Sequence, residues 1–435
     1  MSNSYVNFSA VALADRELFL LGLRTVLSAL LVGVQLYVLR AIFRMVRSIQ
    51  FDRSKEKFWI GLSTAFLIVI NLPLALFFVE GFINPRSILL YSPPLDYEWL
   101  VRPFAYTFFV WTIGSLLFAA SAPIAMGCYA AVQFLRRKTP VEDYTTVQVF
   151  DLSRRRFLQA ALTAVSAMPF AVSAYGAVAA RSRTTVERVI VPIAALPPQL
   201  EGLTIVQLSD IHSGMFMNES RMADYARLAN ELHPDIIALT GDFVASRNDQ
   251  VDTFIRAMSS LKAKHGVFGC LGNHDIFTHS EQGISQGFTN SGFTLLRNQN
   301  QIIDIDGAKL NIIGVDYLFG GRSSGDILTR ALGELSLEGT TVLLQHAPQL
   351  FPVAAKLGID LTLSGHTHGG QIALTLGDLI IAPAALSTMF LAGLFRIGDS
   401  HLYVNRGLGT TGPPIRINAP PEITHITLKS STTNP

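Results

Sequence analysis

An α/β domain preceded by an all-α membrane module is the fold class that this sequence predicts, on three observations. The first 180 residues hold four long apolar runs. The remainder alternates short β-branched runs with helical patterns, as a sheet flanked by helices does. Across 435 residues, 49% are hydrophobic and only 15% charged, against roughly 25% in an ordinary soluble domain.

The membrane module, 1–180, comes first. Its apolar runs span Leu18 to Leu39, Phe58 to Phe82, Phe104 to Leu135 and Phe157 to Ala180, each long enough to supply the about 20 helical residues that cross a hydrocarbon core. Arg24 in the first run reads as a side chain snorkelling from a helix end, and Asn71 with Pro73 in the second as a kink. Basic loops stay in the cytoplasm. Arg40, Arg44, Arg47, Arg53, Lys55 and Lys57 follow the first run, and Arg136, Arg137, Lys138 and Arg154 to Arg156 follow the third, whereas 83–103 offers only Arg86 and Arg102. The N-terminus and the C-terminal half are therefore both expected outside the cytoplasm.

Before the fourth run, Ser153-Arg154-Arg155-Arg156-Phe157-Leu158-Gln159 resembles the twin-arginine export signal of bacteria. Its other reading is the basic flank of a membrane helix. The resemblance implies a bacterial inner-membrane, multi-pass protein that engages the twin-arginine translocation machinery and carries its C-terminal domain on the periplasmic or extracellular side. That route moves folded proteins. The Ala-rich end of the run has no distinct cleavage site, so it is expected to stay as an anchor.

Residues 181–200, with Pro192, Pro197 and Pro198, read as a linker. The domain at 201–429 is long enough for a full core. Strands are expected at Leu203 to Leu208, Asp235 to Thr240, Val267 to Leu271, Leu310 to Val315, Thr341 to Gln345, Ile359 to Leu363, Leu402 to Asn405 and Ile423 to Leu428, with helices at Arg221 to Leu232 and Val251 to Lys264. A net charge of +2 argues against nucleic acid. Cys128 and Cys270 give neither a disulfide framework nor a cysteine zinc site.

Chemistry is concentrated in five blocks, each at or just past the end of an apolar run: Asp210-Ile211-His212, Gly241-Asp242, Gly272-Asn273-His274-Asp275, His346 and Gly365-His366-Thr367-His368. Hydrolytic divalent metals take neutral imidazoles and carboxylates, and two ions about 3.5 to 4 Å apart share at least one ligand oxygen. Asp242, alone after its glycine, suits that shared position. If strand geometry persists through Asp210 and His212, the i, i+2 spacing points both side chains the same way. His366 and His368 repeat the spacing with two imidazoles. Singly, each block has a plainer explanation as a helix cap or turn; jointly, in order, they point to a two-metal site.

The ordered set resembles the calcineurin-like metallophosphoesterases, across Asp210 to His368. The resemblance implies a four-layer αββα sandwich, one ion held by Asp210, His212, Asp242 and His368, and another by Asp242, Asn273, His346 and His366. Manganese, zinc and iron all suit such ligands. His274 is then the imidazole free of metal, acting as general acid or electrostatic stabiliser. Gly241-Asp242-Phe243-Val244 lacks the Asp-Arg that follows in the protein Ser/Thr phosphatases, which argues against that branch. Gly365 to Gln371 and Arg406 to Glu422 look like the bacterial membrane- or envelope-associated branch.

The expected activity is hydrolysis of a phosphoester, of monoester or diester type and lipid-linked or envelope-borne, beside membrane lipids. Arg406 and Arg416 are expected to hold a second anionic group of the substrate. The rival reading is a non-catalytic membrane sensor or scaffold that binds metal without turnover. A transporter reading is disfavoured, because the apolar runs show no paired ionisable residues deep in the membrane.

Overall fold

The computed structural model describes residues 5–48, 51–72, 75, 98–137, 152–317, 324–333, 339–376 and 379–431. The chain divides into a helical unit that ends at Ala177 and an α/β unit that begins at Val178.

In the helical unit, α1 (Tyr5–Ser48), α2 (Arg53–Ile70), α3 (Glu98–Arg137) and α4 (Leu152–Ser182) follow the four apolar runs. Among the described residues, three helices are long and apolar enough to cross a membrane, at Thr25–Arg47, Val101–Ser121 and Thr163–Ser182. The expected fourth span corresponds to α2, which has 18 residues, and most of the rest of its run lies outside the described residues. Asn71 stands at a break between helical stretches, as a kink there implies: its carbonyl accepts from Ala75 N–H (3.0 Å) where helix resumes at Leu72, while Pro73 lies outside the described residues. Asn71 caps the C-terminus of α2 and donates from Nδ2 to Gln35 Oε1 (2.6 Å), which also accepts from Trp111 Nε1 (2.9 Å), so one amide ties three helices together. The twin-arginine-like stretch lies in the first turns of α4.

The α/β unit runs β1 (Thr185–Ile193), β2 (Thr204–Leu208), α5 (Glu219–Glu231), β3 (Ile236–Thr240), α6 (Val251–Met258), β4 (Val267–Cys270), α7 (Asn273–Phe277), α8 (Glu281–Asn290), β5 (Thr294–Leu295), β6 (Gln299–Ile305), β7 (Ala308–Val315), α9 (Ser324–Leu332), β8 (Thr340–Gln345), α10 (Phe351–Lys356), β9 (Leu361–Ser364), β10 (Leu374–Leu376), β11 (Leu379–Ile381), β12 (Gly393–Ile397), β13 (Ser400–Val404) and β14 (Glu422–Ser430). Every expected strand is present. β1, β5, β6, β10, β11 and β12 were not expected, and the first of them lies in the supposed linker, where it pairs in parallel with β14 over its whole length. Its two faces alternate in burial, and as an edge strand it tolerates Pro192. The helix expected to reach Lys264 stops at Met258 instead.

Two six-stranded mixed sheets form, in the orders β1-β14-β2-β3-β4-β5 and β12-β13-β9-β8-β7-β6. Strand alternation fixes what each face meets. On β3, Ile236 and Ala238 point into a core shared with Ile312, Val342, Leu344 and Leu363 of the other sheet, while Ile237 and Leu239 face Met222, Ala226 and Phe254 of α5 and α6. On β8, Leu343 turns outward against Ile327 and Leu328 of α9 and Ala354 of α10. The result is the four-layer αββα sandwich. Its consequence for chemistry is directional: β2, β3 and β4 run parallel in one sheet, and β7, β8, β9 and β13 run parallel in the other. Loops leaving their C-terminal ends meet at one edge, where an α/β fold places ligands.

Candidate metal centre

Beyond Leu208 and Thr240 the β2 and β3 chains go on pairing as loops, with Asp210 N–H on Gly241 O, His212 N–H on Asp242 O and Ser213 N–H on Phe243 O (3.1, 2.9 and 2.8 Å). That pairing brings the first two blocks together, but not by strand alternation. Asp210, His212 and Asp242 adopt left-handed backbone (φ +50°, +51° and +55°), as do His366 and His368 (φ +71° and +52°). The expectation that strand geometry persists is therefore corrected. Gln207 joins the two sheets underneath, its Nε2 donating to Thr240 Oγ1 and to Ser364 O, each at 2.9 Å.

The side chains form a continuous buried cluster. His212 Nε2 and His368 Nε2 face each other at 3.2 Å, and His368 Nε2 lies 3.3 Å from Asp210 Oδ1. Asp242 Oδ2 stands 3.5 Å from His212 Nε2 and 3.2 Å from His346 Nε2, whose ring lies 3.2 Å from His366 Nδ1. Three overlapping sets emerge in which every ligand atom is within 4.8 Å of the others: Asp210, His212 and His368; His212, Asp242 and His274; and Asp242, His346 and His366. A carboxylate oxygen common to two sets of imidazoles suits a position between two cations.

Several features fit metal. Asn273 Oδ1 and His212 Nδ1 are buried without a hydrogen-bond partner, and an amide oxygen left bare is a ready ligand. Burial, followed by neighbouring imidazolium charge, pushes His212 down to about 3 and His366 to about 4, and holds His368 well below its ordinary value. Neutral imidazoles are what a divalent cation requires. His346 goes the other way. Burial opposes its charge, but Asp242, the hydrogen bond to it and Asp210 carry it up to about 10, so in the metal-free molecule its proton balances the two carboxylates. Its Nδ1 donates to Thr240 O (2.7 Å), leaving Nε2 to the cluster. A cation there competes with that proton.

A calcineurin-like phosphoesterase family model matches residues 203–370. The chain is 33% identical over 290 residues to the Bacillus subtilis protein named uncharacterized metallophosphoesterase YkuE, covering 64% of this chain and 99% of that one. The chain belongs to the calcineurin-like metallophosphoesterases. It is 31% identical over 289 residues to a zebrafish transmembrane protein with metallophosphoesterase domain, spanning 63% of that protein's length. The Escherichia coli phosphodiesterase YaeI is 29% identical over 280 residues, 99% of its length. As a metallophosphoesterase, the protein is a metal-dependent hydrolase of phosphoesters.

This metallophosphoesterase holds its candidate ligands in place through neighbouring groups. Ser209 Oγ (2.6 Å) and His366 N–H (3.0 Å) donate to Asp210 Oδ2, and His274 N–H donates to Asp242 Oδ1 at 2.8 Å. A Cβ at Gly365 would collide with Ser209 Oγ and Asp210 Oδ2, so no other residue fits there. His274 Nδ1 meets Ala245 O, and its ring stands edge-on to His212 at 4.6 Å. The turn that carries Ala245 is held by Gln250, whose Oε1 accepts from Ala245, Ser246 and Arg247 N–H.

Three residues beside the site were not assigned roles from sequence. Asp275, fully buried, accepts four backbone N–H bonds from Asp242, Phe243, Val244 and Gly272. Burial and the nearby Asp242 charge push it up to about 7. Its place at the third position of α7 is a capping signal that the sequence does carry. Tyr317 faces His366 at 5.6 Å between ring centroids and His346 at 6.2 Å, and its position just past β7 matches the pattern of the known blocks. Thr411 Oγ1 lies 3.2 Å from His212 Nε2 and 3.0 Å from His368 Nε2, on a loop whose sequence gives no such sign.

The two arginines expected to hold substrate are otherwise engaged. Arg416 is 1% exposed, and its guanidinium donates to the carbonyls of Ala419 (2.8 Å), Arg406 (2.9 Å) and Gly407 (3.0 Å), among others, next to His368 Nδ1 at 3.3 Å. Arg406 pairs with Glu187 (2.6 Å) and Glu422 (2.8 Å), pinning the site loop to β1 and β14. Both brace the loop that carries His368's neighbours.

Proposed function

We propose that the protein hydrolyses a membrane-associated phosphodiester with a dinuclear metal centre, anchored in a bacterial inner membrane with the site on the outer side. The carrying observation is the placement of Asp242 Oδ2 between His212 Nε2 and His346 Nε2 (3.5 and 3.2 Å). Asp210, His212, Asp242 and His368 would hold one ion, and Asp242, Asn273, His346 and His366 the other. Divalent ions bound there supply Lewis acidity toward water and the phosphoryl oxygens.

The chain's own residues do the rest. Asp242 and Asp210 fix the spacing of the imidazoles, and Asn273 offers a neutral oxygen, which limits negative charge where an anionic substrate must approach. His274 gives Nδ1 to Ala245 O, which leaves Nε2 as the ring atom that would face the leaving oxygen and donate to it from the imidazolium form. A diester is favoured by the likeness to a protein named as a phosphodiesterase. The outward orientation is supported by the basic loops, and bacterial export by the motif at 153–159, through which the chain would engage the twin-arginine machinery. Three apolar helices and a relative named as a transmembrane protein support the anchoring.

The test uses the full chain purified in detergent. Metal analysis is expected to find two ions per chain, and Asp242→Asn to lower bis(p-nitrophenyl) phosphate turnover by more than about a hundredfold with loss of bound metal. Near-normal turnover in that variant refutes the shared-ligand assignment. Protease protection of the α/β unit in intact spheroplasts would refute the outward orientation.

A further inference from the structure

Between the His366–His368 loop and β13, the chain leaves the sandwich as the β10–β11 hairpin, a short turn at Pro383–Leu386 and the edge strand β12. Leu386 and Met389 are 94% and 82% exposed, the highest values for large apolar side chains among the described residues. Leu374, Ile380, Ile381, Leu394 and Ile397 are exposed beside them. The only ionisable side chain among the described residues from Leu374 to Ile397 is Arg396, paired with Asp399 at 3.2 Å. A soluble surface rarely leaves so much contiguous apolar area in water.

This segment is built onto the scaffold and reaches the metal centre. Phe390 turns inward, its ring 5.7 Å from Phe351 and 5.2 Å from Phe395 in edge-on contacts. Thr367, between the two ligand histidines, donates from Oγ1 to Leu391 O, and a Cβ at Gly370 would strike Ala382. Inward anchoring of Phe390 leaves Leu386 and Met389 facing out. The connectivity supplies the occupant: only Arg183 and Thr184 separate the apolar helix ending at Ser182 from β1. Two extended residues reach about 7 Å, a tether too short to carry β1 far from the end of that helix. Aliphatic and Met side chains on a turn almost free of charge are the chemistry of insertion into the acyl boundary of a bilayer.

We propose that residues 374–397 form an interfacial loop that inserts Leu386, Met389 and their aliphatic neighbours into the membrane surface and delivers lipid-borne phosphoesters to the adjacent site. The proposal rests on the reading of the chain as a membrane-anchored phosphoesterase. It names phospholipid as the surface partner and a lipid headgroup ester as the substrate class.

The test places the full chain, with Cys128→Ala, in lipid nanodiscs; Cys270 is wholly buried and does not label. Leu386→Cys carries an environment-sensitive fluorophore, and Lys262→Cys, on an exposed loop, is the control. Lipids bearing a doxyl quencher are expected to remove about half or more of the emission at 386 and to leave the control unchanged. Leu386→Ser with Met389→Ser is expected to lower hydrolysis of a fluorescent phosphatidyl ester on the order of tenfold while sparing soluble bis(p-nitrophenyl) phosphate. Equal quenching at the two labels overturns the docking, as does energy transfer between differently labelled chains without lipid quenching, which identifies a second copy instead. Turnover of the soluble ester without turnover of the lipid ester overturns the delivery. A wild-type chain inert toward both strikes the phosphoesterase reading, and the quenching result still decides the loop.

Discussion

Replacing Asp275 with Asn isolates the support under the metal centre. The wild-type carboxylate accepts Asp242 and Gly272 N–H at Oδ2 (2.9 Å each) and Phe243 and Val244 N–H at Oδ1 (2.8 and 3.2 Å). An amide of the same shape turns one oxygen into a donor that confronts two donors. Each buried N–H left without an acceptor costs about 1 to 3 kcal/mol, so a loss of roughly 2 to 6 kcal/mol follows from two. At about 2 to 4 °C per kcal/mol for a domain of this size, a loss near 3 kcal/mol lowers the Tm by roughly 6 to 12 °C. The same bonds hold the turn bearing Asp242, so affinity for manganese is expected to fall by about 10- to 100-fold although no ligand has changed. Thermal unfolding of the α/β unit, followed by protease susceptibility of the full chain in detergent, reads the first effect, and metal titration the second. A Tm within about 2 °C of wild type, with unaltered metal affinity, would refute this account of how the two turns are joined.

Acidification should destabilise the metal-free protein. His212 and His366 stand at about 3 and about 4, chiefly through burial, below the roughly 6.5 of an unfolded histidine. The unfolded chain therefore binds more protons between those values, and stability falls as pH drops from about 6.5 toward 4, by about 1.4 kcal/mol per pH unit per histidine. Asp275, raised to about 7, binds its proton in the fold and offsets one histidine in that window. His346, at about 10, stabilises fully below about 6.5, and its contribution is lost as pH climbs toward 10. Urea midpoints against pH in chelator check the signs, and a midpoint that rises on acidification contradicts them. Arg416→Lys should cost about 2 to 4 kcal/mol of stability, because a single ammonium cannot satisfy the fork of buried carbonyls. KM for a soluble diester should hold; a raised KM with unchanged Tm would return Arg416 to the substrate.

What was legible from sequence tracks what the sequence encodes locally. The strands from β2 to β4 and from β7 to β9 are short β-branched runs that end at a glycine or a ligand, so both the sheets and their chemical edge can be read in advance. β1 was misread because Pro192, Pro197 and Pro198 carry turn signals; only its pairing with β14, far along the chain, makes it a strand. The internal partners of the two arginines went unread for a related reason. Charge is visible in a sequence, but the seven-residue detour that folds the carbonyl of Gly409 back onto Arg416 is not. Asp275 was quoted as part of a motif and given no task, since its four donors come from two separate turns.

The left-handed backbone at Asp210, His212, Asp242, His366 and His368 bears on why the centre is built from turns at all. For a residue with a Cβ, that conformation costs about 1 to 2 kcal/mol, so five of them concentrate on the order of 5 to 10 kcal/mol at one edge of the fold, comparable with the net stability of a whole domain. Such conformations persist only where the surroundings leave no alternative. Here those surroundings can be named: the paired loops of β2 and β3, the His366 and His274 N–H groups clamped on ligand carboxylates, the four bonds to Asp275, and a glycine at 365 where no side chain fits. In exchange, Asp210 and His212 converge on one set of ligand atoms while the chain is already turning away. The imidazoles are set before any cation arrives, so binding requires little rearrangement. Substitutions in the bracing shell should therefore weaken metal binding as surely as loss of a ligand, and by a route that leaves every ligand in the sequence intact.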